Sequence, residues 1–96
     1  MKILGCNYKL EQRFSVKSLD SFGKFIGQTQ EIQIANDLPK EHFESTILYE
    51  IIEAINWHLG LKLEHPTIMG LETGLYQVLT ENGVDLSPLA KPLRRH

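Results

Sequence analysis

The strongest constraint on how this chain folds is a change of period at Asn36-Asp37-Leu38-Pro39. Before it, apolar residues alternate with polar ones, as on a half-buried strand. After it, they recur at three- and four-residue spacing, as on an amphipathic helix. Ile3-Leu4 precedes the turn-like Gly5-Cys6-Asn7, and Tyr8, Leu10, Phe14 and Val16 then carry the strand pattern. Residues 22–26 and 30–34 form two short runs joined by Gly27-Gln28-Thr29 and read as a hairpin. In the second run Ile32 and Ile34 share one face and Glu31 and Gln33 the other. The expectation is a small three-stranded antiparallel sheet, apolar on one side.

Beyond the switch, Asp37 reads as a helix cap, and Pro39 is tolerated in the first turn because its missing amide would lack a partner there. From Glu41 onward Leu48, Ile51, Ile52, Ile55 and Leu59 gather into one stripe, and Gly60 is a natural stop. A second helix is expected to start near His65-Pro66-Thr67, with a stripe of Ile68, Leu71, Leu75, Val78 and Leu79, and to close at Asn82-Gly83. The segment 84–96, with Pro88 and Pro92, reads as an irregular tail. The expected fold class is therefore α+β, a sheet followed by two helices packed on one face, with a single domain over 1–83.

With 96 residues the chain holds one small core. Its net charge of −2 lacks the basic excess of a nucleic-acid binder, and the short cluster of Lys91, Arg94 and Arg95 reads as a solubilising end. The single cysteine, Cys6, has no partner for an intramolecular disulfide, which suits a reducing compartment. Neither a signal peptide nor a membrane-length apolar run is evident. A cytoplasmic protein is expected, with no nucleic-acid or membrane partner.

The run Tyr49-Glu50-Ile51-Ile52-Glu53 lies within the first helix. With histidine at its first and last positions it would be His-Glu-x-x-His, in which two imidazoles one turn apart hold zinc and the glutamate activates the metal's water. Tyr49 and Glu53 fall on one helix face at the edge of the apolar stripe, and Asn56 continues that edge. Glu50 is expected to point further round, away from the stripe. The chemistry argues against an ordinary metal site. A phenol must lose a proton of pKa about 10 to ligate a metal, and a lone carboxylate holds an ion weakly. The plain alternative is a tyrosine packed at a helix border beside two solvated glutamates.

Residues 45–82 resemble a group of very small zincin-like proteins, many from phages and prophages. The resemblance is carried by Ser45-Thr46-Ile47-Leu48, Glu50-Ile51, Ala54-Ile55, Leu59-Gly60-Leu61, Gly74-Leu75-Tyr76-Gln77-Val78-Leu79 and Asn82. The stretch 27–34 and Asp37-Leu38-Pro39 resemble the family's sheet and helix entry. The resemblance implies a minimal zincin-like fold. It places the family's catalytic glutamate on Glu50 and its two metal histidines on Tyr49 and Glu53, so only the glutamate matches. A third ligand is implied on the second helix, at Glu72, with Thr73 or His65 as other occupants of that spot.

Of the four histidines, His42, His58, His65 and His96, His65 lies at the turn into the second helix. It can swing toward Glu53 and Glu72, a mixed set able to take zinc or manganese; otherwise it solvates a helix start. His58 is expected to project away from the Tyr49–Glu53 edge. Trp57, off the main stripe, is expected to pack against the sheet or the tail, or else to mark a partner-binding patch. Three functions follow. The first is a pseudo-enzyme that keeps the zincin-like scaffold without hydrolysis, carries no cofactor, and binds an unidentified protein. The second is a metal-dependent hydrolase, such as a peptidase, with Glu50 as base and Glu53, Glu72 and His65 on zinc. The third is a small structural or regulatory homodimer.

Overall fold

The computed structural model describes residues 1–15 and 22–93, with side chains to residue 90. Val16, Arg94 and Arg95 lie outside the described residues. Strands β1 (Lys2–Ile3) and β2 (Cys6–Asn7) pair antiparallel through Leu4 and Gly5. Both turn residues have positive φ, 51° and 82°, the backbone a two-residue hairpin needs to follow strand twist. Met1 and Tyr8 extend the ribbon by exchanging backbone hydrogen bonds of 2.6 and 3.1 Å.

The main sheet contains β3 (Lys9–Phe14), β4 (Gly23–Ile26) and β5 (Glu31–Ala35). The hairpin read in the sequence is present: β4 and β5 pair antiparallel, with Phe25 opposite Ile32 and Gly23 opposite Ile34. The wholly antiparallel sheet is not. β3 runs parallel to β5, Leu10 beside Ile32, and the strand order is β3-β5-β4. The reason is apolar content. Ile32, Ile34 and Ala35 have no exposed surface, and only the central position flanks a strand on both edges. The N-terminal residues before β3 form a separate two-stranded sheet.

Helix α1 (Lys40–Leu59) starts after Pro39 without a side-chain cap. Asp37, expected to cap it, instead accepts a 2.7 Å hydrogen bond from the Ser15 hydroxyl. The helix stops at Gly60, whose φ of 60° and ψ of 37° are left-handed, a conformation glycine adopts without strain. Its buried surface is broader than the expected stripe. Ile47 and Ala54 are fully buried in the core with Ile32 and Ile34, while Leu48 and Ile52 form a second cluster with Ile68. Positions 47 and 54 lie about 100° or more from 48 and 52 around the helix, so α1 is packed on two sides. Leu59, read as part of the stripe, is exposed.

Helix α2 (His65–Glu81) has Pro66 in its first turn and ends at Asn82-Gly83, as the sequence suggests. It packs on α1 as an outer layer, and Ile68 is its one fully buried residue. Leu71, Leu75 and Val78, expected inside, are exposed, because a helix resting on a single neighbour can bury only a narrow strip. The Asn56 side chain clasps the connection: Leu63 N–H donates to Oδ1 at 2.9 Å. The segment read as irregular carries a 3-10 helix (Ser87–Leu93), with Leu86 and Ala90 buried. Asp85 caps its start by accepting the Ser87 N–H at 3.0 Å. No described helix is long and apolar enough to cross a membrane.

Two truncations separate these layers. Ile68→Ala should cost about 2–5 kcal/mol of stability, and Leu75→Ala no more than about 0.5 kcal/mol. Urea denaturation measures both, and equal costs would show that α2 buries the face expected from its periodicity.

Candidate functional site

A cleft of about 270 Å³ opens where α1, the first turns of α2 and the start of β4 meet. Helix α1 supplies His42, Ser45, Thr46, Tyr49 and Glu50; α2 supplies His65, Met69 and Glu72. Phe22 and Gly23 close it from the sheet edge. His42, Thr46 and Glu50 stand at intervals of four, so they form one row along α1. The Thr46 hydroxyl is turned back onto its own helix, donating to the His42 carbonyl at 2.7 Å. The Phe22 and His42 rings meet edge-on, 4.2 Å between centroids.

Glu50 departs most from the sequence reading. It was expected to point away from the apolar stripe, yet only 4% of its surface is exposed. Its position, three residues from Ile47 and four from Ala54, turns it toward the sheet. Gly23 makes room for it: a Cβ there would lie 2.7 Å from Glu50 Oε2 and 2.8 Å from the Thr46 methyl. Burial strips water from the carboxylate, and the like charge of Glu53 adds to the effect, raising the Glu50 pKa to about 8. Glu50 is thus a neutral acid at pH 7. No hydrogen bond or ion pair reaches it among the described residues.

At the cleft's rim the altered motif positions are tied together. The Tyr49 hydroxyl is hydrogen-bonded to His65 Nδ1 and also lies 3.4 Å from Glu53 Oε2, to which it can donate. One phenolic proton therefore faces two acceptors when the imidazole proton sits on Nε2. Burial, then the charges of Glu53 and Glu50, push the Tyr49 pKa up to about 12, so the phenol stays protonated. Burial also raises the Glu72 pKa, with His42 partly offsetting it.

The structure thus brings Tyr49, Glu50, His65 and Glu72 to one cleft, with Glu53 joined through the Tyr49 hydroxyl. It does not converge Glu53, Glu72 and His65 as ligands: among the described residues no three His, Cys, Asp or Glu side chains are grouped to hold a metal. His42, Phe22, Gly23 and Met69 were not singled out as site residues by sequence reasoning. The four-residue spacing of His42, Thr46 and Glu50 was the available signal. His58 lies away from the cleft, as expected, bonded to the Tyr8 hydroxyl at 2.5 Å. Trp57 is half exposed, its ring over Gly27 and edge-on to Phe25. It packs against the sheet hairpin without being buried.

No family model, curated protein or solved structure matches this chain.

The buried acid makes a signed prediction. The unfolded chain releases this proton near the ordinary value of 4.5, the folded chain near 8. Between those limits the folded state binds more protons, so stability falls as pH rises, by about 1.4 kcal/mol per unit from this group. Glu50's contribution is complete below pH 4.5 and lost by about pH 8. Glu50→Gln should flatten the decline in urea-measured stability across that window. An unchanged slope would place Glu50 in solvent.

Proposed function

We propose that this protein is a zincin-like pseudo-enzyme, phage- or prophage-related, that binds another protein through the cleft and does not hydrolyse it. The observation that carries the reading is the Tyr49 hydroxyl, hydrogen-bonded to His65 and within reach of Glu53. In a metal-loaded motif the first and fifth positions point lone pairs at an ion. Here a protonated phenol engages the polar atoms that would have to converge, and a proton takes the place of the cation. The resemblance over 45–82 supports the scaffold half of the proposal, and the α+β layering agrees with it.

Glu50 favours a second reading, a hydrolase with an altered ligand set. A carboxyl whose pKa lies near 8 is poised to exchange protons at neutral pH, as a general base or acid must. That reading requires zinc on Glu53, Glu72 and His65, and so requires the Tyr49–His65 bond to open.

Metal analysis decides between them. After dialysis the purified protein should hold well under one zinc per chain, and Tyr49→Phe should lower stability by about 1 kcal/mol through loss of the hydroxyl's bonds. Near-stoichiometric zinc, released by Glu53→Ala, would establish the hydrolase reading instead. The double variant Tyr49→His, Glu53→His should acquire zinc, since it returns two imidazoles to one helix face beside His65. If it stays zinc-free while folded, the zincin-like scaffold is wrong.

A further inference from the structure

Three observations at the cleft point to the chemistry of its occupant. The first is charge. Glu50 and Glu72 line it, Glu53 stands one turn from Tyr49, and no lysine or arginine lines it among the described residues. The second is the burial of Glu50: a residue only 4% exposed, lining the cleft, whose carboxyl has no hydrogen-bond or ion-pair partner among the described residues. A carboxyl so largely withdrawn into the protein, with its remaining opening on the cleft, leaves acceptor positions that a donor entering the cleft can fill. The third is the lining, which is mainly apolar and aromatic. Phe22 and Met69, each 48% exposed, flank the opening.

We propose that the cleft receives an arginine side chain of a partner protein, its guanidinium on Glu50 and its stem between Phe22 and Met69. This rests on the reading of the cleft as a metal-free protein-binding surface. Arginine fits better than lysine because its guanidinium is weakly hydrated, donates in a planar fork to both carboxylate oxygens, and stacks on aromatic rings such as Phe22 and Tyr49. The volume of about 270 Å³ is small for a drug-sized ligand and suits one long side chain. An incoming cation favours the ionised form of Glu50, so binding releases a proton. Among the described residues, the other groups facing Glu50 are Glu53, Tyr49 and His42 from its own helix and His65 and Glu72 from α2, and β4 contributes the uncharged Gly23.

The test is an amide NMR titration of the full chain with a blocked Gly-Gly-Arg-Gly-Gly peptide. The comparators are its citrulline counterpart, a neutral isostere, and free butylguanidine. The arginine peptide should cause saturable shifts at Gly23, Thr46 and Glu50, at least about tenfold tighter than citrulline, with affinity rising up to about tenfold per unit between about pH 6 and 8. Glu50→Gln, which retains the shape of the protonated acid and therefore folds, should abolish the preference for arginine over citrulline. The proposal is overturned if citrulline binds as well, if Glu50→Gln keeps the preference, or if no saturable shift is seen. Butylguanidine matching the peptide would overturn the assignment to a partner's side chain. Zinc is assayed on the same sample. Zinc-free protein that ignores the peptide sinks this inference alone, whereas near-stoichiometric zinc sinks the pseudo-enzyme reading whatever the peptide does.

Discussion

The seating of α1 on the β4–β5 hairpin is the constraint from which the other features follow. Ile47 and Ala54 are fully buried with Ile32 and Ile34, and this contact fixes the rotation of the helix about its axis. With that rotation set, Glu50 has only one place to go, beneath the start of β4. Gly23 is what permits it, since any Cβ would press on the Glu50 carboxyl and the Thr46 methyl. The same rotation turns Leu48 and Ile52 outward, where Ile68 covers them and α2 becomes an outer layer. The cleft is the gap left between that outer helix and the sheet edge.

Its electrostatics follow from the same geometry. A carboxyl held under a strand loses its hydration and keeps its proton to about pH 8. Tyr49, one residue earlier on the helix, lies at the rim and turns its hydroxyl to His65 at the start of α2. Lys40 pairs with Glu44 at 3.1 Å on another side of the helix. The result is an acidic, mainly apolar recess, closed at one edge by a phenol–imidazole contact.

Much of this was legible in the chain, for identifiable reasons. The helix ends depend on local chemistry, and Gly60, Pro66 and Asn82-Gly83 marked them. The β4–β5 hairpin is local too, and the alternation of Ile32 and Ile34 disclosed it. Strand order is not local. Whether β3 pairs with β4 or β5 depends on which strand best tolerates burial on both edges, a comparison no single pattern contains. Periodicity also overstated burial in α2: Leu71, Leu75 and Val78 keep the spacing of a core stripe although nothing among the described residues covers them. In α1 one stripe hid two, so Glu50, read as lying away from the stripe, is in fact on a buried face. Of the residues singled out in the chain, Tyr49, Glu50, His65 and Glu72 line the cleft, and Glu53 meets it only through the Tyr49 hydroxyl. The role of Gly23, some 27 positions from Glu50 in sequence, required the fold.

Ring nitrogen NMR of His65, recorded before and after one equivalent of zinc, tests the central claim most directly. The account predicts that Nδ1 keeps the signature of a hydrogen-bonded imidazole and that both ring nitrogens are unmoved by the metal. A zinc-induced shift of a His65 ring nitrogen to a ligated value, with loss of the Tyr49 contact, would contradict it and return the site to metal chemistry.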